Sequence, residues 1–221
     1  MDMLVENQLD LVARVAEHVR AKFLSESSGH DWHHIRRVWK LARQIAAAEG
    51  ANMEVAELGA LLHDIADWKF HGGDEAVGPR EAERLLVQEG APRRIIEAVV
   101  AIVAAVSFKG AGVRNEMRSL EGQCVQDADR LDAIGAIGIA RCFAYGGHDG
   151  RLIHDPEVAP MAHQTAAAYK AARGSSINHF HEKLLLLKDR MNTASGRALA
   201  EERHRYMEDF VRQFLRERGD S

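Results

Sequence analysis

Apolar residues recur at three- and four-residue intervals along almost the whole chain, the pattern of helices that each bury one face. Residues 8–24 place Leu9, Val12, Val15, Ala16, Val19 and Phe23 on such a face, and residues 32–48 repeat it with Ile35, Val38, Trp39, Leu41, Ala42 and Ile45. A shorter apolar helix is expected over 54–67. Gly78-Pro79 opens a helix over 79–89 that Gly90 stops, and another runs from Pro92 through Val106. The run V-V-A-I-V-A-A-V at 99–106 has a strand-like composition, but its length and alanine content favour a buried helix.

The periodicity then breaks. K-G-A-G-V-R-N-E-M-R-S, residues 109–119, is basic and glycine-containing and reads as a loop. Helix returns over 120–145, a second loop follows at 146–160, and two helices close the chain at about 175–191 and 195–217. Without linker, repeat or low-complexity stretch, residues 1–221 read as one all-α domain, a compact helical bundle.

Composition narrows the function classes. An apolar fraction of 46% and a charged fraction of 28% are those of an ordinary globular protein. A net charge of −4 supplies no basic field for nucleic acid. No apolar run approaches the ~20 residues that cross a bilayer, and the N-terminus has no signal-peptide core. Cys124 and Cys142 form no C-x-x-C pair, so neither a disulfide framework nor a zinc ribbon is expected. A reducing cytoplasm is the expected location. Trp32, Trp39 and Trp68 read as core or pocket-edge aromatics.

Twelve histidines draw attention to their placement, and four of them precede an aspartate. His148-Asp149 and His154-Asp155 fall in the second loop, and Asp31 of His30-Asp31 is placed to cap the helix at Trp32. His63-Asp64 alone sits in an apolar run, L-G-A-L-L-H-D-I-A-D. On a continuous helix His63, Asp64 and Asp67 share one side and Leu58, Leu61, Leu62 and Ile65 the other. A buried carboxylate there is costly unless a cation or partner offsets it. His34 and Arg37 share a face of the preceding helix, and Asp129 and Asp132 lie among apolar residues of Q-D-A-D-R-L-D-A-I-G-A-I-G-I-A. Gly135 and Gly138 in that stretch imply close helix–helix approach.

The order His34, His63-Asp64, Asp129 resembles that of the HD superfamily of metal-dependent phosphohydrolases. D-W-x-H-x-x-R-V, L-L-H-D-I-A-D, the stretch around Asp129, and H-F-H-E-K-L-L-L-L-K-D-R-M-N-T are similar to the small single-domain bacterial branch. The resemblance implies an HD-type helical bundle, with core motifs over about 30–190 and the helices of 175–217 packed on it. It implies His34, His63, Asp64 and Asp129 as ligands of a divalent ion. This mixed nitrogen–oxygen set leaves Mn²⁺, Mg²⁺, Fe²⁺, Co²⁺ and Zn²⁺ all compatible. Dinuclear members carry extra histidines before the last aspartate; here only His71 intervenes, so one ion is expected.

The remaining site residues are expectations of the same kind. Asp67 is the candidate to orient or deprotonate the attacking water, with pairing to Arg37 or Lys69 as its competing role. Arg37 and Lys183 are candidates to offset phosphate charge, and His179, i,i+4 from Lys183, resembles a cavity-facing family residue. Lys109 and Arg114 of the basic loop are candidates to contact a polyphosphate. Asp132 reads as a supporting residue rather than a ligand. The implied activity is hydrolysis of a phosphorylated small molecule, a nucleotide above all, by a pyrophosphohydrolase or phosphatase. The alternative is a non-catalytic, metal-dependent nucleotide sensor. The last helix is expected to pack on the domain or on a second copy, which leaves a homodimer open.

Overall fold

A computed structural model describes residues 10–24, 31–66, 74–106, 117–161 and 174–219. Side-chain caps set most helix starts. Asp10 opens α1 (Leu11–Phe23), and Asp31 opens α2 (Trp32–Glu49) by accepting the His34 N–H at 2.8 Å. Asn52 opens α3 (Met53–Leu62), and Ser119 opens α6 (Leu120–Asp132). Between them lie α4 (Val77–Gln88) and α5 (Arg93–Ala105). After α6 come α7 (Gly135–His148), α8 (Ser176–Glu182) and the long α9 (Ala194–Arg218). No strand occurs among the described residues, and 99–105 is helical as its alanine content predicts. No described helix is long and apolar enough to cross a membrane.

The centre of the bundle is α2, packed between α3 and α6. Ile35, Val38, Ala42 and Ile45 of α2 meet Leu58, Leu61 and Leu62 of α3 and Val125, Ala128 and Leu131 of α6, all fully buried. The α4–α5 pair flanks α3, while α9 lies across α6, α7 and α2. Phe210 of α9 stacks on buried Phe180 of α8 at 5.7 Å and meets Phe143 of α7 at 5.8 Å. The last helix therefore packs on its own chain.

Three predicted helices end differently, each for a local reason. The 54–67 helix stops at Leu62, with His63 as its C-cap. The Ile65 N–H turns back onto the Leu62 carbonyl at 3.1 Å, and Lys22 takes the Ile65 carbonyl at 2.7 Å. His63-Asp64 thus occupies a helix end. Asp67 itself lies outside the described residues. The 120–145 helix breaks in two because Gly135 takes φ +74°, a left-handed conformation that side chains disfavour. A Cβ on Gly138 would fall on the Ala133 carbonyl, so this glycine lets the turn fold back tightly. The 175–191 helix shortens to α8 where Lys183 (φ −142°, ψ −60°) leaves helical geometry, and continues as 3₁₀ turns at Leu184–Leu186 and Lys188–Arg190. In the opposite sense, α7 runs through Gly146-Gly147 to His148, into the expected second loop.

Asp127 ties the start of α9 to α6. Its carboxylate is fully buried and accepts from the backbone N–H of Asn192 (2.8 Å) and of Thr193 (2.8 Å), and from the Thr193 hydroxyl (2.8 Å). Removing it strands those donors. Asp127→Ala is expected to destabilise the fold by about 2–4 kcal/mol, measured as a shift of the urea midpoint.

Candidate metal centre

His34 arrives on the first turn of α2, directly behind the Asp31 cap. His63 arrives at the open C-terminal end of α3, where helix carbonyls lack intrahelical partners. Its Nδ1 lies 2.8 Å from one such carbonyl, that of Ala60, which fixes the ring. The His34 Nδ1 lies 2.7 Å from the Asp132 carboxylate. The Asp132 carboxylate and the Ala60 carbonyl are acceptors, which favours a proton on each Nδ1 over donation from Arg141 to His34 Nδ1 and directs each Nε2 elsewhere. The two Nε2 atoms meet 3.2 Å apart. Two lone pairs cannot face each other at that distance without a proton or a cation between them.

Carboxylates complete the cluster. Asp64 Oδ2 lies 3.3 Å from each Nε2, and Asp129 Oδ1 lies 3.7 and 3.8 Å from the Nε2 atoms of His34 and His63. For a metal–ligand bond of about 2.1 Å, neighbouring ligands sit about 3.0 Å apart in an octahedron and about 3.4 Å in a tetrahedron. The donor set therefore fits a divalent ion with little movement. The imidazoles are 1% exposed and form the floor; Asp64 and Asp129, 22% and 34% exposed, form the rim. A ligand would reach the cluster from the rim side.

The charges respond to this arrangement. Burial pushes the His63 imidazole toward neutrality, but the charge and hydrogen bond of Asp64, with Asp129 and the Ala60 carbonyl, outweigh it and raise its pKa to about 9. In the metal-free protein a proton thus occupies the place of the cation. Burial would likewise raise the Asp132 carboxyl, yet hydrogen bonds from His34 and Arg37 and the charges of His34 and Arg141 hold it well below the usual carboxylate range.

Asp132 is more central than the sequence suggests. Its side chain is 2% exposed and takes Arg37 through Nε (2.6 Å) and Nη2 (3.1 Å) as well as His34. Arg37 is thus drawn to Asp132. Arg141 of α7, which sequence reasoning missed, also donates to Asp132 and lies against His34 Nδ1. Its nine-residue spacing from Asp132, across the helix break at Gly135, leaves no periodic signal. His179 and Lys183 lie half-buried at α8 and its C-cap. The helix α8 packs on α7, where the Lys183 charge reaches Cys142, the neighbour of Arg141. Asp67, Lys109 and Arg114 lie outside the described residues.

The HD domain family model matches residues 31–134, which span all four candidate ligands. The Bacillus subtilis protein YpgQ is 41% identical over 207 residues, 93% of each chain. The chain belongs to the HD superfamily. Superposition on the crystal structure of YpgQ in complex with ADP gives a TM-score of 0.72 at 34% identity, covering 95% of this chain and 98% of that one. An HD-superfamily hydrolase from Bacillus thuringiensis superposes with a TM-score of 0.73 at 41% identity, over 95% and 97%. A Lactobacillus plantarum structure reaches 0.81 at 39% identity, over 99% and 100%. HD domains typically bind divalent metals, and the convergence of His34, His63 and Asp129 within 4.8 Å accords with that.

Two predictions follow from the HD geometry. Asp132→Ala is expected to weaken divalent-ion binding about 10- to 100-fold, read by titration calorimetry, because His34 loses the partner that orients it. The raised pKa of His63 stabilises the metal-free fold below pH 6.5, and that contribution is lost as pH rises through about 9. Thermal unfolding of chelator-treated protein is expected to show this decline, and His63→Gln to flatten it.

Proposed function

We propose that this protein is a metal-dependent phosphohydrolase acting on a nucleotide, with one divalent ion held by His34, His63, Asp64 and Asp129. The observation that carries the proposal is the pair of Nε2 lone pairs meeting at 3.2 Å beneath two rim carboxylates. The ADP complex of YpgQ supports a nucleotide as the ligand class. Bound there, a divalent ion acidifies water and polarises a phosphoryl oxygen.

The chain's own residues supply orientation and charge. Asp132, braced by Arg37, fixes His34, and the Ala60 carbonyl fixes His63. Lys183 and His179 are assigned to the substrate phosphates, and Lys109 and Arg114 to the distal end of a polyphosphate. Asp67, close in sequence after the His-Asp pair, is assigned to take the proton of the attacking water. Removal of pyrophosphate from a nucleoside triphosphate is favoured over monophosphate hydrolysis by the number of cations in this set.

His63→Ala and Asp64→Ala are expected to abolish both divalent-ion binding and nucleotide hydrolysis while leaving the circular dichroism spectrum intact. A metal-by-nucleotide screen that separates pyrophosphate from inorganic phosphate tests the reaction. Hydrolysis persisting in either variant, with ion still bound stoichiometrically, would contradict the ligand assignment. The ADP complex of YpgQ by itself is equally consistent with a sensor. Tight nucleotide binding with no product under any divalent ion would favour that reading.

A further inference from the structure

Asp132 carries more donors than one carboxylate accommodates comfortably. Its Oδ2 receives His34 Nδ1, Arg37 Nη2 and Arg141 Nη1, while Oδ1 takes Arg37 Nε. A carboxylate oxygen has two lone pairs, so three donors on Oδ2 compete. Two of them are committed by geometry. Arg37 binds in fork fashion through both oxygens, and His34 Nδ1 lies 2.7 Å from Oδ2 in a buried contact. Arg141 is the surplus donor: it reaches the cluster through Nη1 alone, and that atom also abuts His34 Nδ1, which already carries a proton. Its side chain is 27% exposed, against 2% for Asp132.

The charge count points the same way. Before any proton or ion is placed between the imidazoles, Asp64, Asp129 and Asp132 against Arg37 and Arg141 count to one negative charge. A divalent ion converts this to one positive charge. An anion arriving at the loaded rim then offers Arg141 a better acceptor than a crowded Oδ2.

We propose that Arg141 is a phosphate-binding residue of this site, which leaves Asp132 to grip a phosphoryl oxygen once the divalent ion is in place, while Arg37 stays with Asp132. The proposal rests on the nucleotide reading above for its ligand. It separates two arginines that share one carboxylate: Arg37 serves the metal through His34, and Arg141 serves the substrate.

The test measures two affinities on the full chain by titration calorimetry. Mn²⁺ is titrated into wild type, Arg141→Gln, Arg141→Lys and Arg37→Gln, and then ADP and inorganic pyrophosphate into each Mn²⁺-loaded protein. Arg141→Gln is expected to keep its Mn²⁺ affinity within about twofold while losing about 10- to 100-fold in affinity for ADP and pyrophosphate. Arg141→Lys is expected to recover part of the loss, because the charge remains without the fork. Arg37→Gln is expected to lose Mn²⁺ affinity instead. Unchanged anion affinity in Arg141→Gln overturns the proposal, as does a loss of Mn²⁺ affinity matching that of Arg37→Gln, which would make Arg141 a positioning residue. Should Arg141→Gln fail to fold, Arg141→Lys decides: anion affinity reduced with Mn²⁺ affinity kept supports the proposal, and any other pattern overturns it. If loaded wild type binds pyrophosphate but not ADP, the nucleotide reading fails while the Arg141 proposal stands. If it binds neither, the Arg141 proposal is overturned.

Discussion

Two imidazole nitrogens that must both present lone pairs, 3.2 Å apart in a floor closed to solvent, set the terms for everything around them. The Nδ1 protons are held by the Ala60 carbonyl and the Asp132 carboxylate, so neither ring can turn its proton inward without losing a buried hydrogen bond. The protein meets this with carboxylates at the rim and, in the absence of a cation, with a second proton on His63. A divalent ion removes the need for that proton. Ion and proton therefore compete for one position.

Helix ends, rather than helix faces, deliver the candidate ligands. His34 sits on the first turn of α2 and His63 at the last turn of α3. Asp129 and Asp132 occupy the final turn of α6, just before the left-handed Gly135 reverses the chain. Arg203 of α9 donates to the Leu131 carbonyl and packs over Gly135, and Asp127 anchors the opening of α9. The C-terminal helix is thus a brace for the carboxylate end of the site. Its aromatic contacts with Phe143 and Phe180 fix it to the same side of the bundle.

Much of this was legible in the residues. Helix faces and the Asp31 cap follow from spacing, and the meeting of His34, His63 and Asp129 is what the resemblance to the HD superfamily implies. What escaped was local backbone geometry. The apolar pattern extends the third helix to residue 67, whereas the Leu62–Ile65 turn ends it first. A helix drawn through 120–145 concealed Arg141, because only the reversal at Gly135 brings α7 back toward Asp132. Arg37, expected from its face on α2 to offset phosphate charge, pairs with a buried carboxylate that nothing in the linear pattern shows. Periodicity reports faces; it does not report which end of a helix meets which neighbour.

The central claim is that one divalent ion sits between the two Nε2 atoms. Anomalous diffraction from a crystal soaked in a zinc salt tests it directly. The account predicts a single strong peak bonded at about 2.0–2.2 Å to Nε2 of His34 and of His63 and to oxygens of Asp64 and Asp129. A peak bound to other residues alone, or none between the two imidazoles at saturating zinc, would contradict it.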